Sequence, residues 1–205
     1  MSFDEKAKVW DNDPKKVERA KILAKKIAEF AKGKNLKKAF EFGCGTGLLS
    51  FCLKDSFTEI TLADTSKGML KILKEKMEVS GIKHFKSLLL SEENHFESEN
   101  YDIIYSLMTL HHVHDLEEVF ERFNTMIKAH GFLCIADLDK EDGDFHSATD
   151  SLHVHHGFEK VWLTKELSTN GFKVIHYEIF HTISKEMDNG STKIFPLFLM
   201  IAQKE

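Results

Sequence analysis

Residues 41–47, Glu41-Phe42-Gly43-Cys44-Gly45-Thr46-Gly47, alternate three glycines across the boundary between two apolar runs. Ala39, Phe40 and Phe42 form a strand-like run before them, and Leu48, Leu49, Phe51, Cys52 and Leu53 a helix-like run after them. Glycine accepts positive φ and has no Cβ, so the chain can turn sharply off a strand and gather backbone N–H groups beside the next helix N-terminus. Nucleotide-type ligands meet backbone at such turns. The stretch therefore reads as the first strand–turn–helix unit of an α/β domain.

The elements on either side agree. Asp13-Pro14 is an N-cap followed by a first-turn proline, opening a helix to about Ala31 that Gly33 ends. Glu59 to Ala63 reads as a second strand, and it ends at Asp64. In nucleotide-binding βαβ units an acid roughly 20 residues past the glycine turn accepts both ribose hydroxyls, because one carboxylate takes two O–H bonds. Lys67 to about Ser80 is a helix with Gly81 past its end, and His84 to Leu90 is a third strand. Tyr101 to Leu107 reads as a buried parallel strand, followed by a helix from near Asp115 to Gly131 and a fifth strand from Phe132 to Ala136. Thr164 to Asn170 is a short helix, and Phe172 to Ile183 and Ile194 to Ala202 are strands around the turn Asp188-Asn189-Gly190-Ser191. Pro196 cannot donate to a ladder, so it belongs at the start of its strand or at a bulge. This alternation predicts one α/β domain, 1–205, with a Rossmann-like doubly wound, mostly parallel seven-stranded sheet and an antiparallel last strand. Residues 1–33 form an N-terminal helical cover in this reading, with Trp10 beside the cleft.

The Glu-x-Gly-x-Gly-x-Gly pattern resembles the first motif of class I S-adenosylmethionine-dependent methyltransferases, and Asp64-Thr65-Ser66-Lys67-Gly68-Met69-Leu70 is similar to that family's Asp-x-Ser-x-x-Met-Leu pattern. The Tyr-Asp-Ile-Ile start of the fourth strand and the His-His-Val segment after it look like the family's small-molecule branch. The resemblance implies S-adenosylmethionine as cofactor, with S-adenosylhomocysteine as its product. It implies cofactor contacts from Glu41, Gly43, Cys44, Gly45, Gly47, Asp64, Thr65, Met69 and Ser106. Many members carry an aspartate after the third strand; here Ser91-Glu92-Glu93 follows, and Ser91 is the substitute expected. No Asn/Asp-Pro-Pro-Tyr/Phe segment follows the fourth strand, which disfavours planar nucleobase or glutamine nitrogens as acceptors.

Transfer from a reactive sulfonium needs positioning above all, and a base only where the acceptor is still protonated. Seven of the 12 histidines fall in two windows, His111, His112 and His114 after the fourth strand and His146, His153, His155 and His156 after the fifth. Acceptor-side candidates are His111, His112, Asp137, His155 and His156. The segment His146 to Phe158 is read as a cover over the acceptor pocket. His153 and His155 would share a face with Asp137 or Asp139 near, but no spacing matches a metal signature, so no metal is expected. The acidic run Asp137 to Asp144 is not a calcium loop, because the EF-hand glycine and terminal glutamate positions fall on Asp142 and Ala148.

With 28 basic against 33 acidic residues, no global charge favours nucleic acid or an anionic membrane, and a small-molecule partner fits better. The longest apolar run, Ile194 to Ala202, is too short to span a bilayer, and the N-terminus lacks the apolar core of a signal peptide. Cys44, Cys52 and Cys134 lack CxxC spacing and read as reduced, buried thiols of a cytoplasmic protein. Two rival functions share the glycine turn. A cofactor-binding protein or partner subunit without turnover keeps the same residues, whereas an NAD(P)-dependent oxidoreductase needs its third glycine where Leu48 stands.

Overall fold

The structure, a computed structural model, describes residues 2–91, 100–146 and 154–205. A short helix α1 (Phe3–Lys6) and a 3-10 turn (Ala7–Asn12) precede α2 (Pro14–Ala31), where the Asp13 side chain accepts the Lys15 N–H and Pro14 occupies the first turn. α2 buries Ala20, Leu23, Ala24 and Ile27, a spacing of three and four that forms a single stripe.

Seven strands follow among the described residues: β1 (Lys38–Phe42), β2 (Glu59–Asp64), β3 (Phe85–Leu89), β4 (Tyr101–Leu107), β5 (Ile127–Leu138), β6 (Phe172–Glu186) and β7 (Thr192–Lys204). Their order is β3-β2-β1-β4-β5-β7-β6. β1 to β5 run parallel, and β7 is antiparallel to both neighbours, β5 and β6. The expected antiparallel last strand is thus present, inserted between β5 and β6.

Helices α3 (Leu48–Cys52) and α4 (Lys67–Ser80) join α2 on one face, with Leu49, Leu53, Leu70 and Leu73 in the same buried cluster as Leu23 and Ile27. On the other face α5 (Leu116–Met126) and α6 (Lys160–Thr169) bury Phe120, Phe123, Leu163 and Leu167. The faces switch between β1 and β4, so the loops leaving these two strands diverge and open a cleft at their carboxyl ends.

Three boundaries differ from the sequence reading. α5 ends at Met126 and not at Gly131, because Ile127 already pairs with Tyr101 of β4. Gly131 then lies within β5, where a Cβ would come within 2.9 Å of the Asp102 carbonyl oxygen. α6 begins at Lys160, four residues early by the numbering, since Leu163 and Leu167 stack one turn apart on the core. Pro196 sits inside β7, where β5 leaves the ladder: its carbonyl accepts the Asp139 N–H at 3.0 Å, just past the last β5 pair, Leu138 with Leu197. The three thiols are free, with Cys44 and Cys134 buried as expected, whereas Cys52, the last residue of α3 and not among its buried positions Leu49 and Ser50, is exposed. Among the described residues no helix is long and apolar enough to cross a membrane.

Candidate active site

The glycine turn leaves β1 at the cleft. Gly43, Gly45 and Gly47 all adopt positive φ, at 70, 52 and 83°. At Gly43 the reason is also steric, since a Cβ would sit 2.1 Å from Thr109 Cγ2 on the loop leaving β4. At Gly45 the space is different. The nearest atoms a Cβ would meet are Trp10 Nε1 at 3.8 Å and Met69 Sδ at 3.9 Å, ordinary van der Waals distances, so the backbone here faces Trp10 and Met69 without the steric block found at Gly43.

Asp64 closes the other side. Its Oδ2 accepts the Gly45 N–H at 2.7 Å and its Oδ1 the Ser66 N–H at 2.8 Å. Burial pushes the Asp64 carboxyl up, opposed by these N–H bonds. A carboxylate has about four lone-pair directions, so acceptor capacity is left over for hydroxyl donors. Thr65 is exposed beside it, and Met69 is buried in the first turn of α4 with its sulfur toward Gly45. Ser91 is exposed just past the end of β3.

Other expected cofactor residues carry structural tasks. Ser106 is buried and donates to the Phe42 carbonyl at 3.0 Å, tying β4 to β1. Burial pushes the Cys44 thiol up, which keeps it protonated. Glu41 lies under α3, where its carboxyl accepts the Ser50 hydroxyl, itself 2.7 Å from the Tyr105 hydroxyl. Burial pushes Glu41 up to about 8, and the Ser50 bond opposes this only in part. Below the ordinary glutamate value both folded and unfolded chains hold the proton; between that value and about 8 only the folded chain does. Each pH unit in that window should cost up to about 1.4 kcal/mol of stability, and above it the slope should vanish. Urea titrations from pH 5 to 9 should show a flatter profile for Glu41→Gln than for the native chain. Equal slopes would mean that Glu41 is ionised in the fold.

The loops leaving β4 and β5 meet in a histidine corner. His111 lies in a 3-10 turn (Leu110–His112), and its Nδ1 is 2.5 Å from Asp137 Oδ1, with both side chains 1% exposed. Leu138 N–H donates to the same carboxylate oxygen at 2.8 Å. The ring centroids of His112 and His146 lie 4.1 and 5.1 Å from that of His111. His112 is open to solvent at one edge, yet desolvation, followed by His111 and His146, pushes it down to about 3. Its ring is therefore neutral. His146 is placed by Glu141, whose Oε2 gathers the N–H groups of Gly143, Asp144 and Phe145. That is the task of part of the acidic run.

Of the expected acceptor-side residues, the structure brings together His111, His112 and Asp137. His155 is tied into the wall through its N–H to the His111 carbonyl and its ring to the Val113 carbonyl. His156 belongs to the Glu141 loop, its Nδ1 3.9 Å from Glu141 Oε1. The expected cover lies in part outside the described residues, as do His153 and hence the His153/His155 pair. Asp139, the other oxygen ligand considered with that pair, accepts from the Tyr177 hydroxyl at 3.3 Å.

A family model described as a methyltransferase domain matches residues 16–177. The chain belongs to this methyltransferase-domain family. It is 30% identical over 135 residues to an uncharacterized methyltransferase of Schizosaccharomyces pombe, covering 57% of this chain and 46% of that protein. It is 27% identical over 157 residues to the probable S-adenosylmethionine-dependent methyltransferase CRG1 of Saccharomyces cerevisiae, covering 75% and 53%. The chain thus spans about half the length of the curated relatives it matches. Its fold is similar to that of the Bacillus subtilis YcgJ protein, with a TM-score of 0.72 at 15% identity over 89% of this chain and 97% of that one.

In this methyltransferase-domain chain the N-terminal segment supplies residues that the sequence reading did not single out. Asp4 accepts the Ser66 hydroxyl and the Gly68 N–H, the latter at 2.7 Å, at the start of α4. Asp11 accepts the Thr46 hydroxyl and pairs with Lys76 at 2.6 Å, and Lys76 also donates to the Thr46 carbonyl at 2.9 Å. These contacts pin the segment across the glycine turn. Phe3 then reaches both Trp10 and His112, with ring centroids 5.9 and 5.3 Å away. No local pattern marks Asp4 or Asp11, because their partners lie 35 to 65 residues away. Taken together, the glycine backbone facing Trp10 and Met69 and the accepting carboxylate of Asp64 fit an adenosine-bearing ligand.

Proposed function

We propose that the chain transfers a methyl group from S-adenosylmethionine to a small-molecule acceptor. The observation that carries this reading is the Asp64 carboxylate held against the positive-φ backbone of Gly45 at the carboxyl ends of β1 and β2. The cofactor supplies an already activated methyl group when bound. What the chain does is hold and enclose. Asp64 accepts ribose hydroxyls, Gly45 and Met69 border the base and sugar, and the segment carrying Phe3 and Trp10 excludes water.

The histidine corner, under the same segment, is the acceptor side. Three imidazoles there serve an acceptor that loses a proton on methylation, such as an O–H, N–H or S–H compound. A corner bounded by Phe3, Phe145 and His112 suits a small acceptor better than a polymer, as does the formal charge of −5. The free thiols fit a reducing compartment, and the cytoplasm is the proposed location.

Calorimetric titration with S-adenosylhomocysteine, S-adenosylmethionine and NAD tests the reading. The first two should bind in the micromolar range and NAD should give no heat. Binding of NAD alone would replace the reading with a redox one, and cofactor binding without turnover across hydroxyl, amine and thiol acceptors would leave a binding protein.

A further inference from the structure

We propose that His111, His112 and His146 form a binding site for one divalent ion of the zinc class at the acceptor end of the cleft. One imidazole nitrogen from each residue can be chosen so that all three lie within 4.8 Å of one another. Tetrahedral zinc with bonds of about 2.0–2.1 Å sets its nitrogens about 3.4 Å apart. Closing to that separation asks for movement of His112 and His146, which are the exposed and half-buried members of the set.

His111 is already prepared. Its Nδ1 is held by Asp137, which leaves Nε2 as the ligand atom and orients the ring. Metal-bound histidines are commonly held this way, with the second ring nitrogen donating to a carboxylate. Asp137 also places a buried carboxyl group behind the ligand set. The other two ligands come from separate loops that the fold fixes independently: His112 follows His111 in the 3-10 turn, and His146 follows the Glu141-braced loop after β5.

The donor set selects the ion. Imidazole nitrogens without a carboxylate in the first sphere suit zinc, cobalt or nickel, and not magnesium or calcium, which take oxygen. Three protein ligands leave a fourth position, the pattern of catalytic rather than structural zinc. If the corner is the acceptor side, as proposed above, that position takes the acceptor's hydroxyl oxygen or thiol sulfur, which keeps a lone pair for the methyl group after its proton is lost. The ion lowers the acidity threshold of the bound group, whose proton leaves to solvent. His111 then acts as a ligand and not as a base.

The test uses the full chain stripped with a chelator and titrated with Zn2+ by calorimetry and with Co2+ by visible absorption. One equivalent should bind, with the intense visible bands of four-coordinate Co2+. His112→Ala and His146→Ala should each weaken Zn2+ binding by about 100-fold or more, while His114→Ala should stay within about twofold. S-adenosylhomocysteine is titrated into the same proteins as an independent readout. Its affinity should be unchanged in His146→Ala and His114→Ala, and the thermal midpoints show that all three variants fold; His112→Ala also removes the ring that Phe3 packs on, so it is judged on Zn2+ binding and thermal midpoint alone. No Zn2+ binding by the native chain, or equal binding by His112→Ala and His146→Ala, would overturn the metal site. Loss of S-adenosylhomocysteine binding in the native chain would overturn the methyl-transfer reading and leave the metal site to stand on its own titration.

Discussion

His111→Ala should lower the free energy of unfolding by about 3–5 kcal/mol, the cost of removing one member of a buried, hydrogen-bonded pair. The partners are both 1% exposed, and the Nδ1 to Oδ1 distance is 2.5 Å. Truncation leaves Asp137 with the Leu138 N–H at 2.8 Å and the longer main-chain N–H of position 111 at 3.4 Å, in a place that water does not reach. It also removes a ring from a packed corner, which adds a cavity. One effect works against the full cost. The guanidinium of Arg19, partly buried on α2, interacts favourably with Asp137 and offsets part of its charge. The loss should therefore lie nearer 3 than 5. His111→Asn, whose amide can still donate to Asp137, should recover more than half of it. Urea denaturation at constant pH measures both variants, and a loss below about 1 kcal/mol, the size seen for exposed pairs, would show that the contact contributes little.

Asp64→Ala should weaken S-adenosylhomocysteine binding by about 1.5–3 kcal/mol, roughly 10- to 150-fold, because it removes charge-assisted bonds to hydroxyl donors. The carboxylate already spends two acceptor directions on Gly45 and Ser66. Its removal also frees the Gly45 N–H and loosens the turn, so the effect belongs in the upper half of that range. Asp64→Asn keeps one acceptor and should fall between alanine and the native residue. Calorimetry reads the affinities, and the thermal midpoints confirm that the variants are folded. Native affinity in Asp64→Ala would reduce the residue to a brace between the glycine turn and α4.

The sequence alone determined the frame. Period-two and period-3.6 patterning, the Asp13-Pro14 start and the αL glycines are local signals, and they placed α2, α4, β1, β2 and the glycine turn where they lie. The acid at Asp64 was legible for the same reason, since a fixed spacing from the glycines puts it at the next strand end. Boundaries set by pairing partners were not. Ile127 leaves the helix because Tyr101 is beside it, and Pro196 is tolerated inside β7 because β5 ends there. Only tertiary structure separated the tasks of the acids and histidines. Sequence could not tell that Glu41 turns under α3 toward Ser50 while Asp64 stays at the cleft, because burial depends on which helix covers which strand. Nor could it join His146 to His111 and His112, since 33 residues, including α5 and β5, stand between His112 and His146. Side-chain identity is written locally, but the convergence of ligand atoms is decided where the sheet's crossover brings distant loops to one edge.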